Sequence, residues 1–133
     1  MTTATKTLPQ AAIDLLMGVN FGHLATVMPD GTPQVTPVWV DTDGQHVLIN
    51  TAAGRLKDRN LRRDPRVGID VTDSENQYHY VQIRGRVVDM TTEGAEEHIN
   101  ELHRRYNGSG EYPLRPGEQR VIFKIAPDHV QIQ

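Results

Sequence analysis

The sequence predicts a mainly β, α+β fold, an antiparallel barrel of six strands with three short helices. Three observations point there. Six runs with strand composition follow one another and are joined mostly by tight turns built on Gly, Pro and Asp. The helical stretches are too few and too short to supply the crossovers of a parallel sheet. The length, 133 residues, suits a single core, so residues 1–133 are expected to form one domain.

Taken in order, Pro9 to Met17 reads as a short helix. Proline opens its first turn, Ala12, Ile13, Leu16 and Met17 share a face, and Gly18 stops it. Strands follow at Phe21 to Val27, Pro33 to Asp41 and His46 to Thr51, separated by Pro29-Asp30-Gly31 and Thr42-Asp43-Gly44. This pattern predicts a meander of two hairpins. Gly54 to Arg63 reads as a basic helix ended by Asp64-Pro65. Val67 to Val71 and Tyr78 to Met90 are further strands, and Gly85 marks a bulge or a close backbone approach in the second. Thr92 is the expected N-cap of a last helix whose apolar stripe is Ala95, Ile99, Leu102 and Tyr106. A Gly/Pro-rich loop from Asn107 to Gly117 leads to a final strand, Gln119 to His129.

Composition removes several classes of function. There is no Cys, which excludes disulfides, thiolate-bound metal, iron–sulfur clusters and a thiol nucleophile. No run approaches the ~20 apolar residues of a membrane span, and Met1 to Gln10 lacks the apolar stretch of a signal peptide. A cytoplasmic protein with no membrane partner is expected. The net charge of −3 conceals an uneven distribution. Arg55, Lys57, Arg59, Arg62, Arg63 and Arg66 crowd into twelve positions opposed only by Asp58 and Asp64. One dense basic patch on an acidic background suits a local anionic ligand and argues against nucleic acid, whose binders carry positive charge across the domain.

The basic helix start is the most informative feature. Its unpaired N–H groups favour an anion, and Arg55 and Lys57 add full charges in the same turn. A solvated helix whose arginines pair with surface carboxylates fits the same residues. Pro37 removes a ladder donor, so its strand is expected to be unpaired on that side, leaving the backbone of Val35 to Val38 open to a flat ligand or simply protected as an edge. Trp39, the only Trp, is expected in the core or at a dimer contact rather than in a pocket. The six His residues suggest no metal site, and no catalytic side-chain set can be assembled.

Gly22-His23-Leu24-Ala25-Thr26-Val27, Asp30-Gly31-Thr32-Pro33, Val35-Thr36-Pro37-Val38-Trp39 and Asn50-Thr51 then form a recognisable series. It continues through Lys57, Asn60-Leu61-Arg62-Arg63-Asp64-Pro65-Arg66-Val67 and Ile83-Arg84-Gly85-Arg86-Val87. In order and spacing it resembles the split β-barrel flavin- and deazaflavin-binding proteins related to pyridoxamine phosphate oxidase, and most nearly their coenzyme F420-dependent oxidoreductase branch. That resemblance implies a six-stranded FMN-binding split barrel acting as a homodimer with cofactor sites at the interface. It implies phosphate contacts at Asn50, Thr51, Gly54, Arg55 and Lys57, a further cofactor contact at Asn60, and ring contacts at Val35, Thr36, Pro37, Val38 and Trp39. Partner-chain contributions are expected from Gln77, His79 and Asn107. The chain departs from the oxidase proper: Arg55-Leu56-Lys57 replaces a Ser-Arg-Lys run, and no substrate-binding Arg and His follow Val130. The implied activity is hydride transfer from reduced F420 to an electron-poor conjugated small molecule. The alternatives are an FMN-binding reductase of the same fold and a non-catalytic cofactor carrier or sensor.

Overall fold

A computed structural model describes residues 4–133. Eleven elements follow in order: β1 (Ala4–Thr5), α1 (Gln10–Met17), β2 (Gly22–Val27), β3 (Pro33–Val38), β4 (Asp41–Thr42), β5 (Val47–Ala52), α2 (Leu56–Arg63), β6 (Arg66–Asp73), β7 (Asn76–Thr91), α3 (Ala95–Asn107) and β8 (Arg120–Ile132). Seven strands lie on one antiparallel path, β3-β2-β6-β7-β8-β5-β4, and β1 pairs separately with β8. Two strands exceed the six expected, and both, β1 and β4, are two-residue segments.

The path shows why the sheet curls. β3 and β4 occupy its opposite edges, yet only Trp39 and Val40 separate them in the chain. Seven strands laid flat at ~4.8 Å spacing would hold those edges about 29 Å apart. The short link spans only about 10 Å. The edges are therefore drawn together, and the sheet closes into a split barrel. The expected meander is corrected here. Pro33 to Asp41 is not one strand with a partner on each side, because β3 pairs only with β2 and β4 only with β5.

Inside the barrel, Leu24, Ile49, Val71, Val81, Ile83, Val121, Phe123 and Ile125 alternate inward, and α1 covers them with Ala12, Leu15 and Leu16. Each such aliphatic or aromatic side chain contributes about 1.5–3 kcal/mol by leaving water. Gly85 carries both expected features. The β7–β8 register shifts between Arg84 and Gly85, and a Cβ there would stand 2.2 Å from the carbonyl oxygen of Ala126. The predicted cap of the third helix is corrected. Gly94, at φ 74°, is the N-cap, and no side chain caps the helix. Thr92 lies outside, its carbonyl oxygen accepting the N–H of Ala95 at 3.2 Å. No helix among the described residues is long and apolar enough to cross a membrane.

Candidate functional site

The basic cluster sorts itself into four structural cations and two others. Arg62 donates to Asp58 at 2.7 Å, and Arg66 pairs with Asp64 at 2.7 Å, holding that carboxyl down at about 2. Arg59 donates to the carbonyl oxygen of Gly54, and Arg63 to that of Val27 and to Asn60 Oδ1. Among the described residues, the side chains of Arg55 and Lys57 have neither a hydrogen bond nor an ion pair. Asp58 does not pair with them: its Oδ2 accepts the N–H of Gly54 at 2.8 Å, closing the turn into α2. Gly54 takes φ 92° in that turn, where a side chain would be strained.

Arg55 and Lys57 open onto a cavity of about 250 Å³ between β3, β5, α2, α3 and β8. Pro37, Val38 and Trp39 form one wall, and Asn50 and Thr51 the floor. Ile99, Tyr112, Phe21 and Arg120 complete it. Arg120 is 5% exposed. Its Nη1 donates to Glu118 at 2.8 Å, its Nε to Asn50 Oδ1 at 2.9 Å, and its guanidinium carbon lies 4.8 Å from the centroid of the Tyr112 ring. Burial, reinforced by the charges of Arg55 and Arg120, pushes the Lys57 ammonium below the usual lysine value. Hydrogen bonding from Arg120 holds Glu118 below the usual glutamate value. Three cations thus meet at one cavity whose lining, among the described residues, holds no carboxylate.

Two buried side-chain atoms among the described residues lack a hydrogen-bond partner: the hydroxyl oxygens of Thr36 and Thr51. Both belong to residues expected at a ligand. A buried hydroxyl left unmatched is costly, and a polar ligand in the cavity would relieve that of Thr51, which lines it, but not that of Thr36, which does not. The unpaired cations and the orphaned Thr51 hydroxyl together fit an anionic cofactor bearing polar atoms.

Of the fourteen predicted positions, Pro37, Val38, Trp39, Asn50, Thr51, Arg55 and Lys57 meet at this cavity. Val35 is exposed on edge strand β3, with Thr36 beside it. Gly54 supports α2 as described. Asn60, on the buried face of α2, is fully buried and donates to Thr26 Oγ1 at 3.0 Å. Gln77 and His79 sit at the start of β7, His79 Nδ1 lying 2.8 Å from the carbonyl oxygen of Gln133. Asn107 ends α3, 3.1 Å from His103 Nδ1. Trp39 corrects its core assignment. It is half-buried, outside the core, and stacks on Tyr106 with centroids 5.1 Å apart and an angle of 12°. The sequence reading missed Arg120 and Tyr112. The β5–β8 register, pairing Ala52 with Arg120, brings Arg120 to the site, and no local pattern announces that.

A larger concavity of about 660 Å³ lies across β2, β6, β7 and β8, lined by Lys6, Arg66, Arg84, Asp128 and His129 among others. It is a broad groove on the sheet, and no predicted ligand residue lines it. Its Arg66 pairs with Asp64, and its Asp128 with Arg86. Its Lys6 and Arg84 have no ion pair among the described residues, so what distinguishes the smaller cavity is the set of predicted ligand residues that line it with Arg55 and Lys57.

The family model described as pyridoxamine 5'-phosphate oxidase matches residues 8–133. A solved structure named F420 reductase is 36% identical, with a TM-score of 0.79 over 88% of this chain and 93% of that one. A conserved hypothetical protein from Mycobacterium tuberculosis is 24% identical, with a TM-score of 0.67 over 97% and 88%. General Stress Protein 26 from Bacillus anthracis is 19% identical, with a TM-score of 0.70 over 92% of each chain. The last two share the fold.

Proposed function

The chain belongs to the pyridoxamine 5'-phosphate oxidase family, and from that premise we propose that it is an F420-dependent oxidoreductase reducing an electron-poor conjugated small molecule. The observation that carries this reading is the pair of unpaired cations, Arg55 and Lys57, at a cavity walled by the edge strand that ends in Trp39. The 36% identity to a protein named F420 reductase supports F420 as the cofactor. Arg55 and Lys57 supply two positive charges suited to an anionic phosphodiester and carboxylate tail.

In this reading Arg55 and Lys57 hold the phosphate by charge-assisted hydrogen bonds. Thr51 offers its hydroxyl, and the open edge of β3 from Val35 to Val38 presents backbone groups to the ring. Trp39 and Tyr112 give the cavity flat apolar walls that exclude water on those sides. Bound there, reduced F420 would supply the hydride. Solvent protonates the product, so no side chain is assigned as general acid.

FMN is the second reading, favoured by the match to an oxidase family whose resemblance implies flavin binding. The single-chain cavity is smaller than the roughly 300–1,000 Å³ of ordinary ligand pockets. A second copy therefore completes the site in this proposal, contributing Gln77, His79 and Asn107.

Titration of the purified protein with F420 and with FMN, followed by cofactor fluorescence, tests the assignment. F420 binding, and its reoxidation by a quinone or enone, is the expected result. Tight FMN binding with no response to F420 would overturn the first reading. Binding of F420 without turnover on any acceptor would leave a carrier.

A further inference from the structure

Behind the cavity runs a polar chain that the function above leaves unused. Asp41 on β4 accepts from Arg105 Nη2 at 2.8 Å through Oδ1 and lies 2.9 Å from His98 Nε2 through Oδ2. His98 Nδ1 is 3.1 Å from Asn50 Nδ2, which also donates to the carbonyl oxygen of Ala95 at 2.8 Å. Asn50 Oδ1 accepts from Arg120 Nε. These contacts leave one consistent arrangement of protons. The Ala95 carbonyl can only accept, so the Asn50 nitrogen must face it. The second N–H of that amide then needs an acceptor, which makes His98 Nδ1 the bare nitrogen and puts the ring proton on Nε2 toward Asp41. The Asn50 oxygen is thereby turned to Arg120.

The guanidinium of Arg120 has five N–H donors. Asn50 takes one and Glu118 another. The planar group rests against Tyr112 at the cavity wall, with its remaining donors uncommitted among the described residues. Arg120 is nine-tenths buried, so its aim is fixed by these partners rather than by solvent.

We infer that Arg120 is a third anion-binding residue of this cavity, positioned by Asp41, His98 and Asn50, and that it makes the cavity selective for ligands carrying two or more negative charges. The inference rests on the reading of the cavity as an anion site but not on which cofactor fills it. Arg55 and Lys57 on α2 and Arg120 on β8 approach from different elements, so one singly charged group cannot satisfy all three.

Inorganic pyrophosphate is the probe, its affinity read from the rise in melting temperature with concentration. The wild type should respond, and Arg120→Gln should bind pyrophosphate about ten- to a hundredfold more weakly. Where the lone Glu118 carboxylate prevents Arg120→Gln from folding, Glu118→Gln/Arg120→Gln removes both charges and carries the same expectation. His98→Leu should weaken binding by a smaller factor, and His98→Gln, which keeps one acceptor and one donor, should restore it. A wild type that ignores pyrophosphate, or a folded Arg120 variant that binds it equally well, would overturn the inference. His98→Leu that lowers the melting temperature without changing affinity would remove the positioning role. A protein that binds pyrophosphate but neither F420 nor FMN would defeat the proposed function and leave this inference standing.

Discussion

Gly85 is where β7 and β8 approach closely, at the shift in their register. A methyl group at that position would meet backbone, the carbonyl oxygen of Ala126, rather than a side chain able to swing away. Gly85→Ala is therefore expected to cost about 1–3 kcal/mol, read as a lower midpoint in urea unfolding. A variant as stable as the wild type would show that the β7–β8 bulge yields freely. Lys57 makes the opposite kind of prediction, one of charge. Its lowered pKa means that the unfolded chain binds more protons than the folded one just below the ordinary lysine value of about 10.4. The contribution of Lys57 to stability should rise with pH through that alkaline window, against the opposite contribution of Tyr106, whose pKa burial raises, while affinity for a phosphate-bearing ligand falls as the ammonium discharges. Lys57→Met should weaken that affinity by about tenfold or more and remove the rising contribution to stability together with the fall in affinity. Melting temperature and ligand titration followed together across the window check the two signs.

Among the elements, α3 is held to the barrel by a few polar contacts that seat the cavity wall. The Tyr106 hydroxyl accepts the N–H of Val40 at 3.1 Å and donates to the carbonyl oxygen of Asn20 at 2.7 Å, while its ring stacks on Trp39. Tyr106→Phe strands a fully buried backbone N–H, at about 1–3 kcal/mol. A fall of several degrees in melting temperature should follow, with a changed near-ultraviolet signal from Trp39. Burial raises the Asp41 carboxyl, but the hydrogen bonds from His98 and Arg105 outweigh it and leave its pKa lowered. Its share of stability is thus present above the unfolded value of about 3.9 and lost as pH falls through the lowered one. Asp41→Asn should flatten acid unfolding over that range. Little of this clamp was legible in the sequence. The apolar stripe of α3 and the basic start of α2 follow from local periodicity and could be read directly. The contact of Tyr106 with Val40 spans 66 residues, and that of Arg120 with Asn50 spans 70. On sequence alone Trp39 is expected in the core or at a dimer contact, and the core half of that reading fails because a lone aromatic after a strand looks alike whether the chain continues along that strand or crosses to the other edge. Only the closed sheet distinguishes those paths.

At the scale of the whole molecule, the residues placed around the cavity and those placed far from it make different demands. Arg55, Lys57 and Trp39 share one cavity, whereas Gln77 and His79 lie at the start of β7 and do not line it. If Gln77 and His79 serve a cofactor site, they serve one on another copy of the chain. A two-fold dimer supplies two such sites, each drawing its phosphate contacts from one chain and its closing residues from the other. The expected particle is therefore twice the 14.9 kDa chain, with a melting temperature that rises with protein concentration. Light scattering and a dilution series check both. Subunit mixing tests the shared site more sharply. Lys57→Ala chains and Gln77→Ala/His79→Ala chains should each bind cofactor poorly alone. Unfolded together and refolded at equal amounts, they should form hybrids in half of the dimers, each hybrid carrying one site with no substitution. Roughly a quarter of wild-type binding capacity should then return. A mixture that binds no better than its parents would confine each site to a single chain, and the half-open cavity would have to be closed from within.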